Sequence, residues 1–417
     1  MRIAVFTDLY LEIAGGIPSS ISAQKKELES LGHSVVVFCP GFSKPKEKGV
    51  VVLPTSKNIT INGAPTAKWP GIVVKYIEKE YPNFSDHFDL IHSHYEAGAS
   101  IAAVILAKKH HIPLVQTMHG REDMAIAVNV PHPFKNIAGT SLNKIHKKYL
   151  KKYVKAKRIP KDDYLADTTA KRKMWELMVR QANCADQVIT PSQHFADKLK
   201  HYGVYKPLTA VSNGVEDKVA MSRTWKVRKL KKAGKEPLRI IWTSRLSREK
   251  RIMPFLEALK IVKEESDNFF FTAVGDGNEL EASRKYVLEN GLSRNVKFLG
   301  AVPHEKVLEL LEDQHLSIIN SYGFDTQGLT ILEAAATGLP TIFCDKDMKQ
   351  VVLPGTGLCA KDESAEEMAK LILKLIKNPE KIEEMSRAAM KSRKEVFQST
   401  QIEHLLEVYR KAISTSK

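Results

Sequence analysis

Cysteine is scarce in this chain of 417 residues, and its placement does not fit the common sequence signatures of metal sites. The four cysteines are scattered without metal-ligand spacing, which indicates free thiols in a reducing compartment. They are Cys39, Cys184, Cys344 and Cys359. The chain also lacks a long apolar run, because the longest, near residues 97–107, contains Gly98 and Ser100 and is shorter than the roughly 18 residues of a membrane span. A strand-like run starts at Met1, so we expect no signal peptide.

The chain has no G-x-G-x-x-G sequence, which counts against a dinucleotide-dependent dehydrogenase. In the corresponding place, after the first predicted strand, stands Ala14-Gly15-Gly16-Ile17-Pro18. Paired glycines there permit a positive φ and the close approach of a phosphate, although a plain tight turn accounts for them equally well. Pro18 suits the first turn of a helix. Gly15 and Gly16 are therefore candidate phosphate contacts.

The composition is ordinary apart from an uneven charge. The apolar fraction of 43% and the charged fraction of 27% are typical of soluble globular proteins, and the length predicts two domains. The net charge is +16, and between Lys144 and Arg180 thirteen Lys and Arg face four Asp and Glu, a balance of +9. A localised basic segment indicates an anionic partner, such as acidic lipid headgroups, nucleic acid or an anionic acceptor, or else a solvated helix face.

Apolar residues recur at helical spacing within this basic segment. Leu142, Ile145, Tyr149 and Tyr153 are separated by 3, 4 and 4 residues, as on one face of a helix. The lysines that fall largely elsewhere around this helix are Lys144, Lys147, Lys148, Lys151, Lys152 and Lys155. Lysines and aromatic residues on an amphipathic helix suit an anionic membrane surface, and the alternative is an ordinary helix whose apolar stripe packs on the first domain. No recognition motif for nucleic acid accompanies the segment, so nucleic acid is not the expected partner.

Short β-branched runs alternate with amphipathic stretches in both halves of the chain. The predicted strands are Ile3–Thr7, Val35–Cys39, Leu90–His92, Leu114–Thr117, Gln187–Thr190, Arg239–Thr243, Phe269–Val274, Val296–Leu299, Leu316–Ile319 and Thr341–Phe343. The predicted helices are Ser19–Leu31, Ala97–His110, Lys171–Ala182, Pro254–Glu264, Leu280–Glu289, Lys306–Glu312, Thr330–Thr337, Ala365–Ile376 and Ile402–Ile413. This alternation predicts an α/β fold with two doubly wound parallel sheets. Ligands bind such sheets at the carboxyl ends of the strands, so we expect the site in a cleft between the two domains.

The domain boundary is expected near residue 215. The stretch 216–236 is polar, rich in lysine and weakly patterned, which predicts a linker at the start of the second domain. We expect an N-terminal acceptor domain over residues 1–215, with a basic helical insertion at about 130–182, and a C-terminal donor domain over 216–394. The last helix, at about 395–417, is expected to pack back onto the N-terminal domain.

The stretch Tyr322–Ala334 carries the strongest signal for function. Asp325 is expected in a loop, Gln327 and Gly328 follow, and the helix that begins there carries Glu333 near its start. A helix N-terminus favours phosphate or another anion, and a glycine lets a ligand approach the backbone closely. Carboxylates on either side of such a site accept hydrogen bonds from sugar hydroxyls. The stretch therefore predicts a seat for a nucleotide diphosphate-sugar.

Three other segments hold candidate site residues after predicted strands. Arg245 and Lys250 lie where they clamp a diphosphate and stabilise a departing nucleotide, unless they are an ordinary surface pair. His119 follows a strand at its carboxyl end; a lone histidine is more often structural, but this position favours a contact with the substrate. In Gly275-Asp276-Gly277, tight-turn chemistry explains the glycines best, and any ligand contact is expected through the backbone.

In their order along the chain, these residues resemble glycosyltransferase family 4, whose GT-B fold has two Rossmann-like domains facing a central cleft. The positions that carry the resemblance are Gly15-Gly16, His119, Arg245, Lys250, Gly275-Asp276-Gly277, Asp325 and Glu333-Ala334, with the phrases Thr190-Pro191-Ser192, Ser212-Asn213-Gly214-Val215-Glu216 and Gly338-Leu339-Pro340. The resemblance extends from Met1 to about Lys377. The run from Asp325 to Thr330, and His119 followed by Glu122-Asp123, are similar to the bacterial enzymes that glucosylate diacylglycerol.

The resemblance implies a role for each site residue. The implied catalytic residues are His119, Asp325, Arg245 and Lys250. The implied donor-binding residues are Gly15, Gly16, Arg245, Lys250, Gly275, Gln327, Gly328, Leu329, Thr330 and Glu333. The residues expected to meet the membrane or the acceptor are Lys147, Lys148, Lys151, Lys152, Tyr149 and Tyr153. Glu333 is expected to hold the ribose hydroxyls of the nucleotide, His119 to contact the donor sugar, and Asp325 to face that sugar.

Asp325 departs from the family pattern, which has a glutamate at this place. Aspartate keeps the charge but is one methylene shorter, and a misplacement of about 1 Å can lower a rate roughly a hundredfold. Either the loop compensates for the shorter side chain, or the donor preference or the activity differs.

The implied reaction is the transfer of a sugar, with glucosyl expected, from a UDP-sugar to a membrane lipid such as diacylglycerol, with retention of the anomeric configuration. No cofactor and no required metal are expected, because Arg245, Lys250 and a helix end neutralise the leaving group. The expected partners are the nucleotide-sugar donor, a lipid or glycan acceptor and an anionic membrane surface. The expected location is cytoplasmic, peripherally attached to the inner face of the cell membrane.

Three other functions remain open on the sequence alone. One is a glycosyltransferase with a soluble or polysaccharide acceptor. Another is a nucleotide-sugar isomerase on the same fold, which would convert the donor without any acceptor. The third is a weakly catalytic binding or scaffold protein, for which the aspartate at 325 is the only feature in favour.

Overall fold

The computed structural model describes residues 1–11, 15–43, 45, 47–61, 64–155, 157–221, 223–231 and 236–415. Their contacts divide the chain into two compact units. Unit 1 comprises Met1–Asn213 and Gln398–Lys417, and unit 2 comprises Gly214–Phe397. Each unit contains its own parallel sheet with flanking helices.

Unit 1 has a seven-stranded parallel sheet in the order β3-β2-β1-β6-β7-β8-β9, and an antiparallel β4–β5 hairpin. The strands are β1 (Arg2–Thr7), β2 (Ser34–Pro40), β3 (Val50–Leu53), β4 (Thr55–Ile61), β5 (Ala64–Ala67), β6 (Leu90–His94), β7 (Leu114–Thr117), β8 (Gln187–Thr190) and β9 (Leu208–Ala210). The helices are α1 (Gly16–Ser30), α2 (Pro70–Glu80), α3 (Phe84–His87), α4 (Gly98–His110), α5 (Glu122–Asn129), α6 (Lys135–Leu150), α7 (Thr169–Cys184) and α8 (Gln193–His201), together with the last helix of the chain, α16 (Gln398–Thr415).

Apolar strands explain why both faces of the unit 1 sheet are covered. Continuous apolar runs are typical of parallel strands buried on both faces, and Ile3 to Phe6 of β1 are buried throughout. Phe6 stacks on Phe38 of β2 with ring centroids 4.8 Å apart on one side. On the other side, Tyr409 of α16 joins the cluster around Ile3, so the end of the chain completes the core of unit 1.

Unit 2 has a six-stranded parallel sheet in the order β12-β11-β10-β13-β14-β15. The strands are β10 (Leu238–Thr243), β11 (Phe269–Val274), β12 (Val296–Gly300), β13 (Leu316–Ile319), β14 (Thr341–Phe343) and β15 (Gly357–Cys359). The helices are α9 (Asp217–Met221), α10 (Ile252–Glu265), α11 (Leu280–Glu289), α12 (His304–Glu312), α13 (Leu329–Ala336), α14 (Ala365–Lys377) and α15 (Glu380–Ser392). Short 3-10 turns span Arg248–Lys250, Lys346–Gln350 and Arg393–Val396.

The predicted fold class, two doubly wound parallel α/β sheets, is confirmed. In each sheet the first three strands in sequence run from the middle of the sheet to one edge, and the later strands then run from the middle to the other edge. The reversal falls between β1 and β6 in unit 1 and between β10 and β13 in unit 2. Ligands of open α/β sheets bind in the crevice that such a reversal leaves at the carboxyl ends of the strands.

The prediction of a linker at residues 216–236 is wrong, because the described residues of this stretch belong to unit 2. Helix α9 lies there, and Trp225 is buried against unit 2, with its indole N–H donating to the carbonyl of Ala220 at 2.7 Å. The backbone N–H of Arg228 donates to the Ser386 hydroxyl at 2.8 Å. These few contacts fix the segment to unit 2. They could not be predicted from the sequence, because the segment is polar and rich in lysine. Among the described helices, none is both long enough and apolar enough to cross a membrane.

Candidate active site

The loops that follow β10 and β13 meet at the strand-order reversal of unit 2. Arg245 and Lys250 lie after β10, while Asp325 and Gly328 lie between β13 and α13. Neighbouring parallel strands carry their carboxyl ends at the same edge of the sheet, and β10 pairs directly with β13. The topology therefore brings together cations and a carboxylate that are about 80 residues apart in the chain.

Lys250 and Asp325 form an ion pair in the centre of this edge. The Nζ atom of Lys250 lies 2.5 Å from Oδ1 of Asp325, and the two side chains are 17% and 11% exposed. The Ser321 hydroxyl donates to the second carboxylate oxygen, Oδ2. Burial acts to raise the pKa of Asp325, but the charge and hydrogen bond of Lys250 outweigh it and hold the pKa below its ordinary value. Asp325 is therefore a fixed anion at neutral pH.

Neighbouring groups hold the Asp325 loop in place. The backbone N–H of Gly323 donates to Oδ2 of Asp345 at 2.8 Å, and the Asn320 amide donates to the carbonyl of Arg251 at 2.9 Å. The Lys250 ammonium also lies 5.5 Å from the ring centre of Phe324, within the range of a cation–π contact. The ion pair thus lies in a loop fixed from both sides.

Arg245 stands closer to solvent than Lys250. Its Nη2 atom donates to Oε1 of Glu249 at 2.8 Å, and the Ser247 hydroxyl donates to the same oxygen at 2.7 Å. Glu249 is buried, whereas the Arg245 side chain is 58% exposed. Arg245 is therefore anchored at one edge of its guanidinium and presents the rest of this group to an incoming anion.

The glycines at 275 and 277 have a structural explanation. A Cβ atom on Gly275 would lie 2.1 Å from the carbonyl oxygen of Ser244, and one on Gly277 would lie 2.2 Å from that of Leu246. The Leu246 N–H donates to the carbonyl of Asp276 at 3.0 Å. The turn after β11 therefore packs backbone to backbone against the loop that carries Arg245. No side chain fits between them.

The expected anion seat lies at the start of α13. Gly328 takes φ +74°, a left-handed conformation that favours glycine, and Leu329 and Thr330 form the first turn of the helix. The first N–H groups of a helix have no partner within it, so they are available to an anion in front of the helix. Gln327, just before, is buried.

Glu333 has a partner that the sequence did not suggest. Its Oε1 atom lies 2.8 Å from Nε2 of His304, the first residue of α12. The hydrogen bond to Glu333 raises the pKa of His304. A histidine at the start of an unremarkable helix gives no sequence signal, so only the fold reveals this pair. Any ligand group that binds this oxygen of Glu333 must displace His304 or share the carboxylate with it.

His119 lies in unit 1, at the carboxyl end of β7. It is buried, its Nε2 atom lies 2.7 Å from Nδ1 of His94, and the two rings stack with centroids 5.0 Å apart. Behind His94, the ring of His92 bonds to Thr117 and Tyr409 at 2.7 Å each. Burial lowers the pKa of His119 to about 4. At neutral pH His119 is therefore an uncharged hydrogen-bonding group.

Gly15 and Gly16 open helix α1 in unit 1. Gly15 has φ 166°, an extended conformation, and a Cβ atom there would meet nothing within 4 Å. The expected use of a positive φ is therefore wrong at Gly15, and Gly16 begins the helix with an ordinary φ. Neither conformation nor crowding explains a glycine at 15. Ala14, quoted with them, lies outside the described residues.

The apolar stripe predicted for the basic helix is only partly exposed. Tyr149 and Tyr153 are half-buried and pack against the core of unit 1, so only part of each ring is open to a membrane or an acceptor. Leu142 and Ile145 are exposed. The buried face of α6 runs through Gly139, Asn143, His146 and Leu150, next to the predicted stripe, which places Tyr149 beside the core. Helix α6 ends at Leu150, so Tyr153 lies in the turn that follows it.

The exposed apolar residues of α6 and of the position just before it match the predicted stripe only in part. They are Phe134, Ile137, Leu142 and Ile145. Four lysines near the end of α6 are exposed as expected: Lys147, Lys148, Lys151 and Lys152. The Lys152 ammonium lies 4.7 Å from the ring centre of Tyr153, within the range of a cation–π contact.

Comparison with known proteins identifies the family and the fold of this chain. Residues 14–219 match the family model described as Glycosyltransferase Family 4, and residues 223–392 match the model described as Glycosyl transferases group 1. Among solved structures, sucrose-phosphate synthase from Thermosynechococcus elongatus has a TM-score of 0.71 at 18% identity, with 99% of each chain covered. Anabaena HepE in complex with UDP has a TM-score of 0.66 at 16% identity, with 98% of this chain and 100% of that chain covered.

The fold and the matched models define the chain as a glycosyltransferase with the GT-B fold. It belongs to glycosyltransferase family 4, as the sequence resemblance predicted. Among curated proteins, the alpha-monoglucosyldiacylglycerol synthase of Acholeplasma laidlawii is 25% identical over 411 residues, which covers 93% of this chain and 92% of that protein.

Proposed function

We propose that this glycosyltransferase moves a glucosyl group from UDP-glucose to the free hydroxyl of a diacylglycerol-like lipid, with retention of the anomeric configuration. The observation that carries the proposal is the Lys250–Asp325 ion pair beside the start of α13. A cation, a helix N-terminus and a fixed carboxylate at one strand edge suit a diphosphate joined to a sugar.

The donor fits the charges of unit 2. Arg245 and Lys250 neutralise the diphosphate, and the N–H groups of Leu329 and Thr330 bind its oxygens. Glu333 accepts hydrogen bonds from the ribose, and Asp325 accepts them from the transferred sugar. These groups supply the positive charge that the departing nucleotide needs, so we propose a reaction that requires no metal.

The proposed chemical step uses the leaving group as the base. The bond between the anomeric carbon and the β-phosphate oxygen breaks, and a bond to the acceptor oxygen forms on the same face of the sugar. The acceptor proton passes to the departing phosphate oxygen, which Lys250 and Arg245 stabilise. Retention from the α-linked donor yields an α-glucoside, the configuration in the name of the Acholeplasma relative.

The lipid acceptor rests on that relative and on the surface of α6. The Acholeplasma protein is named for a glucosyldiacylglycerol product and aligns with nearly the whole chain. The exposed apolar residues of α6, such as Ile137 and Leu142, lie just before the basic segment that starts at Lys144, on the same helix as its first lysines. Apolar side chains among lysines bind anionic membrane surfaces, so we propose peripheral attachment through this helix.

Transfer measured with purified variants tests the site. In vesicles that contain diacylglycerol and anionic lipid, Asp325→Asn is expected to lower kcat by about 100- to 1,000-fold, because the variant loses a charge beside the reacting sugar. Glu333→Gln is expected to raise the KM for UDP-glucose by about tenfold, because it weakens charge-assisted bonds to ribose. Glu281→Gln, at an exposed residue of α11, is the matched control. Wild-type kinetics in both site variants would contradict the assignment.

A soluble acceptor is the second candidate, favoured by the similarity to sucrose-phosphate synthase. It is separated by offering the same donor with water-soluble sugars and no vesicles. An isomerase is separated by incubating the donor alone. Conversion of UDP-glucose to another nucleotide sugar without an acceptor would replace the proposed reaction.

A further inference from the structure

Three carboxyl groups gather at the strand-order reversal of unit 1. Asp8 directly follows β1, Glu96 lies two residues after β6, and Glu122 opens α5 beyond β7. These strands are neighbours in the order β1-β6-β7, so their carboxyl ends share one edge of the sheet. This is the crevice where open α/β sheets bind ligands, and His119 lies at the same edge.

Two of the three carboxyl groups have partners within unit 1. Asp8 accepts a hydrogen bond from the backbone N–H of Ala99 at 2.9 Å, at the start of α4. That contact caps the helix, which explains a buried aspartate there. Glu122 accepts a hydrogen bond from the Tyr95 hydroxyl at 3.3 Å.

Glu96 has no such explanation. It is 4% exposed, and neither of its carboxyl oxygens has a hydrogen-bond partner among the residues that the structure describes. A buried polar group without a partner destabilises the fold, and more so when it is charged. The residue before it, Tyr95, takes φ +80°, a strained conformation for any residue except glycine. Strain and an unsatisfied acid at one crevice are features of a binding site.

We infer that Glu96, together with Glu122, binds the reacting hydroxyl of a neutral acceptor at the carboxyl edge of the unit 1 sheet. This inference rests on the proposed transferase function and names its acceptor subsite. Neighbouring carboxyl groups suit an alcohol because one oxygen accepts its proton while a protonated carboxyl donates to its oxygen. They repel a phosphate. The acceptor subsite is therefore selective for an uncharged head, such as the glycerol end of diacylglycerol.

The pKa shifts in the crevice are consistent with a proton shared between Glu96 and Glu122. Burial and the negative charges of Glu122 and Asp8 raise the pKa of Glu96 well above its usual range. Burial also raises the pKa of Glu122 to about 7. The histidines alongside, His94 and His119, are uncharged at neutral pH because burial lowers their pKa values. No neighbouring imidazolium therefore offsets the repulsion of an anionic acceptor.

Glu96→Gln tests the inference with two readouts. The first is transfer to 1,2-dioctanoylglycerol, for which kcat/KM for the acceptor is expected to fall by about 10- to 100-fold, because an amide cannot share a proton with Glu122 or bind the acceptor hydroxyl as strongly as the carboxyl pair does. The second is the thermal shift produced by each ligand. Dioctanoylglycerol is expected to raise the melting temperature of the wild type but not that of Glu96→Gln. Dioctanoyl phosphatidic acid is expected to raise the melting temperature of neither protein. The shift produced by UDP is expected to be equal in both proteins.

Glu176→Gln is the matched control, since Glu176 is also buried in unit 1 but is bonded to Asn143 and Lys173. The Glu176→Gln variant is expected to have a lower melting temperature than the wild type and unchanged acceptor kinetics. The Glu96→Gln variant is expected to have a melting temperature at least as high as that of the wild type. An acceptor kcat/KM within twofold of wild type in Glu96→Gln, equal shifts by both lipids, or no shift by dioctanoylglycerol would overturn the inference. A wild type that binds dioctanoylglycerol without glycosylating it would instead overturn the proposed function.

Discussion

Asp325 stands where the sequence resemblance implies a glutamate, and the structure shows how this shorter carboxylate is held. The shorter carboxylate is held between Lys250 and the Ser321 hydroxyl, so its position is fixed by two partners. Lys250 is the residue expected to neutralise the leaving phosphate. We infer that the pair couples the sugar-facing carboxylate to the phosphate-facing cation. A donor whose phosphate attracts Lys250 would therefore also weaken the contact between Lys250 and Asp325.

Lys250→Met is predicted to destabilise unit 2 by about 2–4 kcal/mol, because it leaves Asp325 nearly buried without its cation. Lys250→Met with Asp325→Asn is predicted to recover most of that loss while remaining inactive. The pKa of Asp325 is depressed in the folded state, so the pair stabilises at pH values above about 4 and its contribution disappears as the pH falls through the folded-state pKa. Urea unfolding between pH 3 and pH 7 measures both effects. A double variant no more stable than Lys250→Met would contradict this account.

Several candidate site residues lie beyond the reach of single-sequence reasoning. Asp325 and Glu333 could be proposed from the sequence because a loop, a glycine and the start of a helix follow one another in the chain. His304 and Glu96 could not, because their significance depends on a partner, or the lack of one, brought about by the fold. Gly275 was read correctly as turn chemistry, but its neighbour, the carbonyl of Ser244, lies 31 residues away in sequence.

At the scale of elements, buried parallel strands were the most predictable. Leu114–Thr117 and Phe269–Val274 begin and end as expected, because continuous apolar runs bounded by polar turns have few other interpretations. Helix α6 shows the opposite case. Its existence follows from periodicity, but two adjacent faces carry apolar residues, and only packing decides which is buried. Tyr149 therefore lies against the core while Ile145 stays exposed.

The exposed apolar set of α6 gives a prediction for that helix. Ile137→Ser with Leu142→Ser is predicted to weaken binding to anionic vesicles at low salt by at least about tenfold, because two apolar side chains leave the interface. Folding is expected to be unaffected, since both residues are exposed. Leu288→Ser, at an exposed residue of α11 in unit 2, is the control and should bind as the wild type does. Equal sedimentation of all three proteins would exclude α6 as the membrane contact.

At the scale of the whole molecule, stability should depend on pH through the buried groups of unit 1. The pKa of Glu122 is raised from its ordinary value of 4.5 to about 7 in the folded protein. The folded state therefore binds the proton of Glu122 more tightly than the unfolded state, and this contribution to stability is lost as the pH rises from 4.5 through 7. Glu122→Gln should therefore gain stability relative to the wild type across this range, by about 1–3 kcal/mol at pH 8. Urea unfolding at pH 4.5 and pH 8, with Glu281→Gln as control, measures it. A constant difference at both pH values would contradict the assignment.

The proposed reaction is the α-selective transfer of glucose from UDP-glucose to a neutral glycerolipid. The most direct measurement is the anomeric configuration of the product, obtained by NMR after the purified protein acts on UDP-glucose and dioctanoylglycerol in anionic vesicles. The account predicts an α-glucosyl lipid, formed only when donor and acceptor are both present and greatly reduced in Asp325→Asn. A β-glucoside would contradict retention. An altered nucleotide sugar formed without lipid would contradict the transferase function proposed for this chain.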